Sequence, residues 1–164
     1  MRKSVTNVKQ KEASLDNKMI YKGKVSVTFT KGGKVIYKNK GKNAGTTSLF
    51  NFFAQCMAGN YNDRLRPKFI KLMSFEDGES ENITESYIPF SGLSVDSTKT
   101  KFKFLIPFSS LKEGKVVAEL QLYNDNRNML ASYMIPKSEQ YTLGSGESIV
   151  VDWELEISNG AEEE

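Results

Sequence analysis

The 164-residue chain contains no histidine, a single cysteine (Cys56) and only four prolines. Each shortage narrows the chemistry open to it. Histidine titrates nearest neutral pH and is the commonest metal ligand. Its absence, with one cysteine, removes Ser–His–Asp triads, Cys–His dyads and zinc sites. A lone thiol cannot form an intramolecular disulfide, so the fold must rest on its core, as suits a reducing compartment. No apolar run approaches the roughly 20 residues that a membrane-spanning helix needs. The opening "MRKSVTNVKQKEASLDNK" is basic but has no apolar stretch or small-residue cleavage pattern behind it, which speaks against a secretory signal. Only carboxylate, lysine or tyrosine chemistry remains. A non-enzymatic chain without cofactor or metal is therefore the expectation.

What is present suits one globular domain: 38% hydrophobic and 11% aromatic residues in a chain long enough to bury a core. The net charge of +3 conceals a polarity along the chain. Residues 1–42 hold twelve Lys or Arg against Glu12 and Asp16, whereas the remainder holds eleven basic and eighteen acidic residues. Residues 1–18 lack any period of 3.6 or 2 and read as an extended basic arm carrying Arg2, Lys3, Lys9, Lys11 and Lys18. Residues 160–164 form an acidic tail closing on Glu162, Glu163 and Glu164. These charged ends are the candidate assembly contacts, through nucleic acid or through attraction between neighbouring subunits. A solvated, flexible arm is the plainer alternative.

Between them, residues 19–159 read as one β domain. "KVSVTFT" alternates Val25, Val27 and Phe29 with polar residues, "KGGK" supplies a tight turn, and "VIYK" returns as the second strand. "NKGKNAG" then breaks the pattern. In "GTTSLFNFFAQCMAGN", Leu49, Phe50, Phe52, Phe53, Cys56 and Met57 fall at helical spacing, Thr46 or Thr47 can cap the start, and Gly59–Asn60 suit a left-handed stop. The stripe is wide enough to lie flat on a sheet, with Cys56 as a small buried hydrophobe. Further strands are expected in "KFIKLMSF", "YIPF", "KFKFLIPF", "KVVAELQLY", "MLASYMI" and "SIVVDWELEIS". "EDGESENITES" and "SGLSVDSTKT" read as polar excursions. The pattern gives seven or eight strands with no βα repeat, hence a mainly β, antiparallel, jelly-roll-like sandwich. One short amphipathic helix is inserted after the first hairpin.

Few constellations suggest chemistry. Glu76, Asp77, Glu79, Glu81 and Glu85 cluster, but without the spacing of a calcium loop or the separation across a cleft that glycoside hydrolysis requires. Asp152, Glu154 and Glu156 share the outward face of a strand, a pattern that discourages edge pairing or meets a basic partner. "KGGKVIYKNKGK" lacks the order of a phosphate loop. Its interleaved aromatics lie on the face of the valines and mark core rather than nucleic-acid stacking. Trp153 likewise reads as a core anchor.

Four pieces, in this order, carry a resemblance: "KNKGKNAGTTSLFNFFAQCMAGN", "RPKFIKL", "KFKFLIPFSSL" and "VVDWELEISN". Over roughly residues 39–159 the chain resembles small virion structural proteins of tailed phages, particularly those of Gram-positive hosts. The resemblance implies a multi-copy, non-enzymatic component at capsid, connector or tail, made in the host cytoplasm. Its partners would be other virion proteins and copies of itself, with non-specific contact to packaged DNA through the arm, and no membrane or small-molecule substrate. A non-catalytic module for host-surface carbohydrate or single-stranded nucleic acid is the alternative.

Overall fold

Two glycines set the first hairpin. In the computed structural model, which describes residues 19–84 and 86–159, Gly32 and Gly33 take φ of 58° and 81°. That is the doubly left-handed turn whose twist matches its flanking strands. It joins β1 (Met19–Lys31) to β2 (Lys34–Gly45) with Lys31 opposite Lys34. The predicted break at "NKGKNAG" does not occur, because β2 runs on to Gly45. Its inward positions are Asn39, Gly41 and Asn43, opposite Val27, Val25 and Gly23, so apolar alternation vanishes while the strand continues. Each of the three has a partner. The Tyr133 hydroxyl donates to Asn39 Oδ1, and Gly41 leaves room for the Tyr133 ring. Asn43 turns its amide oxygen to Trp153 Nε1 and the Lys24 N–H, both at 3.1 Å, and its nitrogen to the Tyr21 hydroxyl.

Ten further strands follow: β3 (Phe69–Glu76), β4 (Glu79–Asn82), β5 (Ile88–Pro89), β6 (Gly92–Asp96), β7 (Lys99–Ile106), β8 (Val116–Val117), β9 (Glu119–Tyr123), β10 (Met129–Met134), β11 (Tyr141–Thr142) and β12 (Ser148–Asn159). The count exceeds the expected seven or eight through short strands the pattern hides. All pairings are antiparallel, in the order β4–β3–β9–β10–β2–β1–β12–β7–β6, with β5 on β3 and a separate β8–β11 pair. Residues of β2 up to Asn43 pair with β1, while Ala44 and Gly45 pair with Ser132 and Ala131 of β10. The sheet thus folds over at β2 into two layers. One cluster unites Val25, Phe29, Phe104, Val151 and Trp153 of the first layer with Ile70, Leu72, Leu120, Leu122 and Leu130 of the second. The described residues form a mainly β, sandwich-like fold with one α-helix, and the sheet is not closed.

The helix α1 (Thr47–Met57) contributes less packing than its sequence promises. Only Leu49 is buried; Phe52 and Phe53 are half-buried, and Phe50, Cys56 and Met57 are exposed. The helix sits at the end of the sandwich beside β10 and β2, where one ridge rather than the whole stripe meets the core. Thr46 is the residue before the first turn, but its hydroxyl does not cap it. It donates instead to the Met129 and Leu130 carbonyls at 2.6 and 3.1 Å, tying the helix entry to β10. The far end closes as expected. Gly59 has φ 83°, its N–H reaching Cys56 O and that of Asn60 reaching Gln55 O, the paired bonds of a left-handed stop.

Gly41 tests this packing. A Cβ there would lie 2.2 Å from the Tyr133 ring, whereas at Gly92 it would meet only Lys103 Cβ at 3.5 Å. Gly41→Ala is expected to lower the unfolding free energy in urea titration by about 1–3 kcal/mol, an overpacking cost. Gly92→Ala should leave it unchanged or slightly raised.

Candidate interaction surface

The register of five strands assembles a charged face from residues distant in sequence. On β1, Lys24 and Ser26 stand opposite Lys42 and Lys40 of β2, with Lys38 beside Thr28. On its other side β1 pairs Lys22 with Glu156, Lys24 with Glu154 and Ser26 with Asp152. Beyond β12, those carboxylates pair with Lys99, Lys101 and Lys103 of β7, and Lys99 in turn faces Asp96 of β6. Directly opposed residues share a face, so all of these project away from the core. Lysines outnumber carboxylates two to one across it. β12 lies in the middle of the sheet, so its carboxylates do not guard an edge, as was one expectation. They are the acid row between two lysine flanks.

The compensation is incomplete. Lys103 Nζ approaches Asp152 Oδ1 at 3.6 Å, a loose pair with both side chains partly in solvent. Among the described residues, no carboxylate lies within 4.0 Å of Lys24, Lys38, Lys40, Lys42 or Lys101. Lys24 faces Lys42 directly, a like-charge pair that costs stability unless a counter-charge is supplied. A shallow open hollow lies here, lined by Lys24, Lys38, Lys40, Lys42 and Lys101 against Asp152 and Glu154. Its lining thus carries five lysines and two carboxylates.

The outward face of the other layer has a different character. Phe69, Tyr87 and Tyr123 form an edge-to-face cluster with centroids 5.1–6.0 Å apart. The Arg127 guanidinium lies 4.6 Å over Phe69 and 4.4 Å over Tyr87. Beside them Tyr123 donates to Gln121, and Gln121 to Glu119 Oε1 at 3.0 Å. Burial raises the Glu119 pKa above the ordinary carboxylate value, outweighing the bond from Gln121.

The acidic excursion is in fact the β3–β4 hairpin. It turns through Asp77 and Gly78 with φ of 54° and 79°, the same doubly left-handed geometry as the first hairpin. Lys115 Nζ holds Glu81 at 3.0 Å and keeps its pKa below the usual value. Among the described residues no group of three or more acidic or cysteine side chains is placed to hold a metal ion. Glu85 lies outside the described residues, as do Arg2, Lys3, Lys9, Lys11, Lys18, Glu162, Glu163 and Glu164. The lysine face was not among the sequence-derived contacts. Its signal was present as lysine at every second position in "YKGK", "YKNKGK" and "KTKFK", in three separate segments. Comparison with protein-family models, curated proteins and solved structures gives no match.

Two substitutions probe the two faces. Glu154→Gln leaves Lys24 and Lys101 without the carboxylate between them. With no ion pair inside 4.0 Å to break among the described residues, it should cost no more than about 0.5 kcal/mol in dilute buffer, the loss of a longer-range attraction. The difference should vanish near 1 M salt, where screening acts within about 3 Å. Glu119 has a raised folded-state pKa, so its ionisation opposes folding as pH climbs past the unfolded carboxylate value. Glu119→Gln is therefore expected to melt higher than wild type at neutral pH, with the gap closing below about pH 4.

Proposed function

We propose that this chain is a non-enzymatic structural or accessory component of a tailed-phage virion, present in several copies at capsid, connector or tail. The lysine face of β2, β1 and β7 is its contact with an acidic partner surface. One observation carries the reading: an open hollow lined by five lysines against two carboxylates, with Lys24 directly opposed to Lys42. A cationic surface whose charge is only partly offset within the protein is neutralised in solution by water and salt, and gains most when an anionic partner displaces them. The resemblance of residues 39–159 to small virion proteins supports the same assignment. The basic arm at 1–18 would extend the contact to an acidic capsid or portal surface or to packaged DNA, and the acidic tail would meet neighbouring copies. No cofactor, substrate or membrane enters this role, and the protein would reach the particle from the host cytoplasm.

Two observations favour the second reading, a binding module. Lysines at 38, 40 and 42 recur about every 7 Å along β2, a ladder suited to the backbone of single-stranded nucleic acid. The partly exposed Phe69, Tyr87 and Tyr123 offer rings of the kind that hold sugars.

Mass spectrometry of purified, nuclease-treated particles of the encoding phage separates these readings. The expected result is stoichiometric presence of the chain, strongly reduced when Lys24, Lys40 and Lys42 are all changed to Glu. Absence of the wild-type chain from particles would overturn the virion assignment. Normal incorporation of the triple variant would overturn the role of the lysine face.

A further inference from the structure

Among the described residues β6 ends the sheet, pairing with β7 on one side only. Such an edge offers a row of free backbone donors and acceptors, which proteins usually blunt with lysine, proline or a bulge. β6 has none of these. Its sequence is Gly92-Leu93-Ser94-Val95-Asp96, with Leu93 49% and Val95 69% exposed. Leu93 lies opposite Phe102, so both apolar side chains are on the core side of the sheet but beyond the core itself. There Leu93 joins Phe52, Phe53, Phe102, Leu155 and Ile157 around an apolar groove under the edge.

We propose that β6 is the interface of a two-fold dimer, in which the strands of two copies pair antiparallel about Ser94 and continue the sheet. The strand is complementary to itself in that register. Leu93 meets Val95 of the second copy, twice, on the groove side, and such apolar cross-strand pairs stabilise by a few tenths to about 1 kcal/mol each. Ser94 meets Ser94. Asp96 meets Gly92, which has no side chain to block the space beyond it. Behind Gly92 on the next strand stands Lys103, half exposed. Two strand spacings, roughly 10 Å, separate the two backbones, within the joint reach of a lysine and an aspartate. Each Asp96 thus finds a Lys103 across the axis. A two-fold axis normal to the sheet keeps both cores on one side, as an isologous contact requires.

The other free edge does not offer this. β4 carries Glu79 and Glu81, flanked by Glu76 and Asp77, so two β4 edges would oppose carboxylates. A β4–β6 junction would set Leu93 and Val95 against polar and acidic residues. The self-pairing rests on the β6 edge with Lys103 behind it, and it does not depend on the proposed role of the lysine face.

Sedimentation velocity of the full chain over a concentration series provides the test. The expected result is a concentration-dependent dimer that Val95→Lys converts to monomer without altering the circular dichroism spectrum or the melt. In a Cys56→Ser background, Ser94→Cys should give an oxidised covalent dimer in high yield, and Ser80→Cys on β4 little. A wild type that stays monomeric at every concentration would overturn the proposal. So would a dimer untouched by Val95→Lys, or equal cross-linking through Ser80→Cys.

Discussion

Twelve consecutive residue pairs join β1 to β12, from Met19–Asn159 to Thr30–Ser148, and everything else is arranged around that ladder. Side chains alternate across a strand with period two, so this register decides both faces at once. Inward, Val25 meets Trp153 and Val27 meets Val151; outward, Lys24 meets Glu154 and Ser26 meets Asp152. A slip by one residue would bury three carboxylates and expose the tryptophan. Burying such charges without partners costs far more than any alternative register recovers, so the pairing is strongly specified. The ladder also brings the two ends of the domain's sequence side by side in the middle of the first layer.

The same ladder explains the regularity of the charged face. Its groups are evenly spaced and of low chemical variety, with Glu154 and Glu156 flanked by lysine on both sides and Asp152 by Ser26 and Lys103. Their arrangement follows the pleat and does not converge on a point. A partner gains from it by matching a pattern of charge over several strands. The apolar β6 edge lies at the margin of the same layer, two strands from the acid row. The hollow around Lys24, Lys40 and Lys42 and the β6 edge therefore occupy opposite sides of the layer, with Lys103 between them.

Where local pattern and tertiary role agree, the sequence is transparent. The Gly32–Gly33 hairpin, the α1 span with its Gly59 stop, the inward series Phe102–Phe104–Ile106 and the strand around Trp153 could all be read directly. Legibility failed where polar residues do a core residue's work. β2 looked interrupted because Asn39, Gly41 and Asn43 point inward to tyrosine and tryptophan partners. The β6–β7 hairpin looked like a connector because its turn uses Ser97, at φ 58°, where glycine is the usual signal. Cys56 and Phe50 looked buried because helical spacing reports a stripe, not how much of it a neighbour covers. The lysine face eluded reading for a further reason. It is a cross-strand object, and adjacency between Lys24, Lys42 and Lys101 exists only once register is known.

One strand belongs to both layers. Because β2 pairs with β1 along most of its length and with β10 at its end, the two layers are joined by backbone hydrogen bonds as well as by side-chain packing. The Thr46 hydroxyl bond to the Met129 carbonyl extends that shared seam into the helix. A load applied to one layer thus reaches the other through a backbone seam two residue pairs wide, Ala44–Ser132 and Gly45–Ala131.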